Sequence, residues 1–292
     1  MSIKKVGTHN GTFHADDVIA FVILDELYGP LELIRTRDKE LLDTCDLVFD
    51  VGGGKYDHHT TDKEYRVNNI PFAAAGLVWR DFGKVLLQKK GVTSDYINKV
   101  FAYIDEKYIQ GLDAVDNGVR FKREMIIPEL PTEIHRFNPK WNLQEDEQEQ
   151  FRKAVEFGRI SFLNVIKDQM AKVASIHVIE KAYADRTQKE ILYLEQHCPW
   201  HSALLEVDAK SEVQFVIYKD HRKGYLIQVV PLHENTFEAR KDLPEEWAGK
   251  EEEELNQIIG ISDAIFAHPA RFIAGAKSKD SILKMAEIAL KK

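Results

Sequence analysis

Thr8-His9-Asn10-Gly11-Thr12-Phe13-His14-Ala15-Asp16-Asp17 puts two imidazoles and two carboxylates into ten consecutive residues. The apolar run Ile3 to Gly7 leads into this stretch as a strand. Val18, Ile19, Val22, Leu24 and Leu27 lead out of it at helical spacing, until Gly29-Pro30 stops the helix. The polar groups therefore sit on a strand-to-helix turn, which in open α/β sheets is where ligands bind. Asp17, at the start of the helix, is expected to cap it and face its dipole.

Two further segments repeat the arrangement. Leu31 to Arg35 reads as a second strand and, after a connector holding Leu41 and Leu42, Leu47 to Val51 reads as a third, with Asp50 at its end. Gly52-Gly53-Gly54 lets the backbone leave that strand tightly and deliver Tyr56-Asp57-His58-His59. Further on, Gly111-Leu112-Asp113-Ala114-Val115-Asp116-Asn117-Gly118 adds another pair of carboxylates. The β-α-β-α-β rhythm of the first ~50 residues points to a parallel sheet with helical crossovers.

A lone His near a strand end is usually structural, and an Asp before a helix is usually only a cap. Here the His/His/Asp turn, the strand-terminal Asp, Asp57-His58-His59 and a further Asp occur in that order on successive α/β turns, and jointly they favour metal ligation. A pair of divalent ions needs a bridging carboxylate and terminal ligands on both sides. His9, His14, Asp16, Asp50, His58 and Asp116 supply that inventory, with Asp50 as the natural bridge. Asp57 and His59 stand beside it, placed to orient an imidazole and to touch substrate. Oxygen and imidazole donors without Cys suit hard and borderline ions rather than a structural zinc site.

Composition narrows the alternatives. The 292 residues are 44% hydrophobic and 30% charged, enough for two domains with ordinary cores. No apolar run reaches the roughly 18 residues of a membrane span and no signal-peptide pattern opens the chain, so no membrane partner and a cytoplasmic location are expected. Cys45 and Cys198 lack metal-type spacing and are expected to be buried, inert thiols. A net charge of −8 argues against a protein that grips nucleic acid over a broad basic surface. It leaves room for a phosphate-bearing substrate, because two divalent cations would bring about +4 into the cleft.

Along the rest of the chain, Pro71 to Leu87 is expected to be an Ala-rich helix with Pro71 in its first turn, and Ser94 to Gln110 a second helix. The stretch 125–131 is punctuated by proline, and His135-Arg136-Phe137-Asn138-Pro139-Lys140-Trp141 reads as a loop able to lie over the site. A long helix from Glu145 to about Ala184, with Phe151, Val155, Ile160, Phe162, Leu163 and Val165 as its apolar face, is a natural linker. Beyond it, Ile191 to Leu194, Val213 to Tyr218, Tyr225 to Val230, Ala264 to His268 and Arg271 to Gly275 read as strands. A turn over 219–224, a helix over 251–258 and a terminal helix capped by Ser278 complete the chain. His135, His177, His197, His201, His221 and His233 lack polar company and receive no role.

These motifs carry a family resemblance. Asp57-His58-His59, with acids before and after it, resembles the signature of the DHH phosphoesterase superfamily, whose members use a manganese-preferring dinuclear centre. More closely, the segment Gly7 to Asp17, Tyr56-Asp57-His58-His59, Asp113 to Gly118, Phe137 to Trp141 and Cys198-Pro199-Trp200 are similar to the melanocyte-proliferating-gene family, from end to end. In the first motif His14 stands where the superfamily usually has an acid. Near the C-terminus the segment Phe266 to Lys277 resembles the family's substrate-side segment. The family there reads His-Ala-Ser-Gly-Phe-Ile-Gly-Gly, and Pro269, Ala270, Arg271 and Ala274 depart from it.

The resemblance implies an α/β fold with a parallel-sheet DHH-type catalytic domain and linker helix over 1–185, and a smaller α/β domain over 186–292 that closes over the substrate. It places metal ligands on His9, His14, Asp16, Asp50, His58 and Asp116, catalytic roles on Asp57 and His59, and substrate contacts on His268, Arg271 and Lys277. The expected cofactor is two divalent ions, Mn2+ first, with Mg2+ or Co2+ as substitutes. The expected activity is phosphodiester hydrolysis by a two-metal-activated water, as a 3′-to-5′ exonuclease or oligonucleotide phosphodiesterase. RNA, a short oligonucleotide or another phosphoester would be the partner, and a homodimer is compatible. Phe137, Trp141 and Phe272 are candidates for stacking on bases. Two rival readings remain, a small-molecule phosphatase or pyrophosphatase and a non-catalytic metal-stabilised binding protein.

Overall fold

The computed structural model describes residues 3–119, 127–221, 224–234 and 236–292. Part of the proline-punctuated stretch and of the turn over 219–224 lies outside them. The chain divides into two compact units, Met1–Met170 and Ala171–Lys292.

In the N-terminal unit, β1 (Lys5–Thr8) is followed by α1 (Ala15–Tyr28), β2 (Glu32–Arg35), the one-turn α2 (Lys39–Leu42) and β3 (Leu47–Val48). Both β2 and β3 pair with β1 in parallel, giving the order β2-β1-β3. Because β2 and β3 lie on opposite sides of β1, the chain reverses its direction of travel across the sheet there, which opens a crevice at the carboxyl ends of β1 and β3. The first helix is buried nearly all round: Val18, Ile19, Ala20, Val22, Ile23 and Leu24 are each inaccessible to solvent. It packs against the Ala-rich α3 (Ala74–Lys89). Pro71 does not enter that helix; it pairs with Tyr65 in a bridge ahead of it, and Ala73 is the N-cap residue. The third strand is shorter than its apolar run suggests, because Asp50 turns into the left-handed region at φ 58°.

Next come α4 (Ser94–Ile104), a π-helical turn over Asp105–Ile109, and α5 (Gln110–Asp116). The wider turn lets one continuous run change phase, so that Asp113 faces inward and Asp116 ends the helix. Arg66 grips Asp105 through two bonds of 2.8 and 2.7 Å and reaches Asp113 Oδ2 at 2.8 Å. A short α6 (Leu130–His135) precedes α7 (Glu147–Asp185). Of the apolar face expected on α7, Phe151, Val155 and Phe162 are buried with Ile166, whereas Ile160 is exposed.

The C-terminal unit holds β4 (Ile191–Leu194), α8 (His201–Val207), β5 (Phe215–Asp220), β6 (Gly224–Val229), α9 (Glu252–Ile259), β7 (Ala264–Ala267), β8 (Ile273–Ala276) and α10 (Lys279–Lys291). Its five strands run in the order β4-β5-β6-β8-β7; β4 and β5 are parallel and the other neighbours antiparallel. Alternate residues divide between two cores, as the two-residue period of a strand dictates. Phe215 and Ile217 join Trp247, Leu255, Ile282 and Met285 on one face, while Val216 and Tyr218 join Ile179, Trp200 and Leu204 on the other. Ser278 accepts from the Ser281 amide at 3.3 Å as the cap of α10. Cys45 and Cys198 are free and half-buried, less enclosed than expected. Among the described residues no helix is long and apolar enough to cross a membrane.

Candidate metal centre

Each part of the cluster is positioned by its element. The turn after β1 carries His9 and ends at His14, the N-cap residue of α1; Asp16 and Asp17 lie in the first turn of that helix. Asp17 Oδ1 accepts from the His14 amide at 3.0 Å, the capping role its position foretold. On the neighbouring strand, β3 gives way to Asp50 in its left-handed conformation, which for a residue with a Cβ costs on the order of 1 kcal/mol. Such a cost, held in place by surrounding structure, is a common mark of a functional position. Gly52 and Gly53 follow at φ 85° and 71°, values open to glycine, and the chain doubles back so that the Asp50 amide donates to the Tyr56 carbonyl at 2.9 Å. The reversal carries His58 and His59 to Asp50.

Four carboxylates and four imidazoles converge: His9, His14, His58 and His59 with Asp16, Asp17, Asp50 and Asp116. They form three donor groups, two of which overlap. His9, Asp17 and Asp50 make one, His14, Asp16 and Asp116 the second, and Asp50, His58 and His59 the third. Asp50 belongs to two of them. Its Oδ2 lies 3.1 Å from His9 Nε2, and its Oδ1 is 3.0 Å from His58 Nε2 and 3.4 Å from His59 Nδ1. His58 Nε2 is also 3.1 Å from Asp116 Oδ2, and His14 Nδ1 is 3.4 Å from Asp116 Oδ1. Asp16, Asp17, Asp50 and His58 are all buried. Asp17 thus joins the candidate ligand set inferred from the sequence, and His59 stands at its exposed edge.

Asp57 stands apart from the three groups. Its Oδ2 accepts from the Gly53 amide at 2.7 Å, while Oδ1 is 3.0 Å from both the amide and the Nδ1 of His59. It closes the turn and orients the His59 ring, which is 61% exposed.

The donor set fits divalent cations on two observations. Asp16 Oδ1, Asp17 Oδ2, Asp50 Oδ1 and His58 Nε2 are buried without a hydrogen-bond partner of acceptable geometry, although oppositely charged atoms lie within reach. Buried polar atoms are ordinarily satisfied, so lone pairs that converge unpaired await a ligand. The electrostatics agree. Burial, and then repulsion from Asp50, Asp116 and Asp17, drives the Asp16 carboxyl well above the usual carboxylate range. Burial and the charge of Asp50 push Asp17 up to about 7. Burial opposes charge on His58 as well, but Asp116 and Asp50 outweigh it and raise the imidazole to about 10. Burial likewise disfavours the Asp50 anion, yet the adjacent imidazoles of His58 and His9 hold it down at about 2. Asp116 adds a negative charge at a helix C-terminus, the unfavourable end of the dipole. Protons here hold together a constellation whose charge two dications would neutralise.

Sequence reasoning missed the braces behind the cluster. Arg35, at the end of β2, has a fully buried guanidinium lying against the rings of Phe13 and Phe151, 5.4 and 4.4 Å from their centroids. It donates to the Gly11 carbonyl at 2.9 Å and to Glu147 at 2.7 Å, and the same Glu147 oxygen accepts from the Gly11 amide at 2.8 Å. Asn138 does the same for Phe13, accepting from its amide at 2.9 Å and donating to its carbonyl at 2.8 Å. Both backbone groups of two residues in the first turn are therefore held by side chains from far along the chain. The segment 135–141 contributes a strut in Asn138; Phe137 packs on Phe157, and Trp141 is exposed.

In the C-terminal unit, His268 and Arg271 occupy the turn between β7 and β8, where the Arg271 amide donates to the His268 carbonyl at 2.8 Å. Arg271 pairs with Asp242 at 3.0 Å. Lys277 follows β8 and donates its amide to the Asp263 carbonyl ahead of β7. It stands at the opposite end of this hairpin from His268 and Arg271.

Comparison with known proteins completes the picture. The MYG1_exonuc family model, described as "Uncharacterised protein family (UPF0160)", matches residues 5–290. MYG1 exonuclease of Mus musculus is 32% identical, over 99% of this chain and 86% of its own length. The Homo sapiens protein of that name is 33% identical over 99% and 86%, and the MYG1 protein of Dictyostelium discoideum 32% over 98% and 96%. Among solved structures, the pGpG-specific phosphodiesterase PggH of Vibrio cholerae aligns over 99% of this chain and 98% of its own, at 11% identity and a TM-score of 0.32. With a family model covering nearly all of it and relatives at this identity along its full length, the chain belongs to the MYG1 family.

Proposed function

We propose that this protein is a divalent-metal-dependent phosphodiester hydrolase acting on RNA or short oligonucleotides, with removal of nucleotides from the 3′ end. The observation that carries the reading is the convergence of buried, unsatisfied Asp16, Asp17, Asp50 and His58 atoms at the carboxyl edge of β1 and β3. The relatives named MYG1 exonuclease support the substrate class.

Two ions, with Mn2+ preferred, would be held by the three donor groups, two of which share Asp50. When bound they supply charge to the phosphoryl oxygens and acidify water at neutral pH. The chain's own part is positioning. Asp50, shared between groups, keeps the two halves of the ligand set in register, and the Arg35–Glu147 and Asn138 braces fix the turn bearing His9 and His14. Asp57 engages His59 Nδ1 and leaves the exposed side of that ring free to hold or deliver a proton at the departing oxygen. His268, Arg271 and Lys277 remain substrate contacts on the strength of the resemblance alone.

The test is cleavage of a 5′-labelled oligoribonucleotide with added Mn2+, read beside metal content. Wild type should give a ladder shortened from the 3′ end. Asp50→Asn should bind less metal and lose more than about 100-fold in rate, beyond the range for losing a ligand's supporting partner. Unchanged activity in Asp50→Asn would remove the mechanism. Preferred cleavage of pyrophosphate would favour the small-molecule reading, and bound metal without turnover on a phosphoester panel the binding-protein reading.

A further inference from the structure

Beside the cluster lies a cavity of about 310 Å3, within the size range of small-ligand sites. Leu112, Val115 and Pro131 give it apolar walls, while His14 and Asp116 border it on the side of the metal centre. His135, which sequence reasoning left without a role, completes the lining from the end of α6. Its ring is parallel to that of His14 within 8°, with centroids 6.1 Å apart. A flat ring entering this space therefore meets two imidazole planes already aligned with each other. Apolar walls suit the body of such a ring, and a phosphate attached to it would lie toward His14 and Asp116.

We infer that this cavity is the nucleoside subsite of the N-terminal unit, and that His135 is its base-binding residue, stacking on the base of the nucleotide whose phosphate sits at the cluster. The inference deepens the hydrolase reading by naming what the site holds beside the phosphate, and rests on that reading for the location of the phosphate. His135 is exposed, and among the described residues its ring makes no hydrogen bond to the core, so replacing it tests recognition rather than folding. Base stacking on an aromatic ring tolerates different bases, which predicts weak base preference at this position.

The experiment measures binding of AMP and of inorganic phosphate to the full chain with Mn2+ by calorimetric titration, and of adenosine by saturation-transfer NMR. His135→Ala should weaken AMP about ten-fold, as loss of one stacking contact does, and change phosphate less than two-fold. His135→Phe, which keeps a stacking face, should restore AMP binding. The subsite is overturned if His135→Ala leaves AMP unchanged, weakens phosphate equally, or is not rescued by His135→Phe. Failure of wild type to bind phosphate would instead count against the metal-centred reading. The adenosine signal then decides the subsite alone: its presence in wild type and loss in His135→Ala upholds the subsite, and its absence from wild type overturns it.

Discussion

Asp208 in the C-terminal unit and Asp16, Asp17 and Asp50 in the N-terminal unit are all buried carboxylates, and their surroundings differ in one respect. Asp208 Oδ1 accepts from Tyr183 Oη and the Glu212 amide, both at 3.0 Å; its Oδ2 accepts from the Val213 amide at 2.9 Å and from Arg240. Every lone pair it presents has a fixed donor. Asp16, Asp17 and Asp50 each keep an oxygen without one, and their nearest neighbours are one another and imidazoles. A satisfied buried charge holds the fold together, whereas an unsatisfied set is a constellation the fold maintains at its own expense for something that binds. Asp113 stands between the two: the Gly76 amide donates to its Oδ1 at 2.9 Å, while its Oδ2 has only the charge of Arg66 beside it.

The largest effect expected from the contrast is at Asp208. Asp208→Ala leaves the Glu212 and Val213 amides without their acceptor and Arg240 buried without its counter-charge, and should destabilise the C-terminal unit by about 3–5 kcal/mol. Exchange of the β5 amides reads that unit separately from the rest. The pH dependence follows. Burial alone would raise the Asp208 carboxyl, but the Val213 amide, Arg240 and the Glu212 amide hold it below its ordinary value. A depressed carboxyl contributes stability that is complete above the unfolded value of about 3.9 and is lost as pH falls through the folded one. Protection of β5 should therefore fall below about pH 4 in wild type and change less with pH in Asp208→Asn. An equal acid response in both would mean that Asp208 is not the hub described.

At Asp16 the same kind of change should act in the opposite direction. Asp16→Asn removes a carboxyl whose charged form is disfavoured by burial and by three neighbouring carboxylates, and its weak acceptance of the Ala74 amide at 3.3 Å can persist through the amide oxygen. With chelator present, the variant should unfold at the same temperature as wild type or be up to about 1 kcal/mol more stable. With Mn2+ it should lose most of the metal-induced rise in melting temperature that mass action gives the wild type. A marked destabilisation in chelator would place Asp16 with Asp208 and erase the distinction.

The two units were not equally legible in the sequence. Apolar runs and their spacing revealed β1, α1, β2 and α7, and the strands of the C-terminal sheet to within a few residues, because burial dictates those patterns directly. The end of β3 was read too far, since apolarity says nothing of the φ that Asp50 adopts. The π-helical turn before α5 leaves no pattern either, so the helix expected to end at Gln110 in fact runs on through α5 to Asp116. Asp17 was recognised as a cap, and a residue with one evident role hides its second oxygen. Arg35, Asn138 and Glu147 are single polar residues far apart in sequence, brought together only by folding. A buried Arg at a strand end and an acid opening a long helix are the only marks they leave.

Arg271 offers the smallest and most specific test of the division. It adopts φ 59°, in the left-handed region, at the position where the resembling segment of the family has glycine. An L-residue held there costs on the order of 1 kcal/mol relative to glycine. Its side chain regains little of this, because the 3.0 Å bond to Asp242 is a surface pair, worth roughly 0–1 kcal/mol. Arg271→Gly should thus leave the C-terminal unit as stable as wild type or more stable by about 0.5 kcal/mol, after the added freedom of the unfolded glycine is counted. Arg271→Ala keeps the strained backbone and loses the pair, so it should be the less stable of the two. Equal stability of these variants by β8 amide exchange would show that the turn bears no strain. A glycine variant clearly weaker than alanine would show that the backbone freedom of residue 271 matters more in the unfolded chain than in the turn.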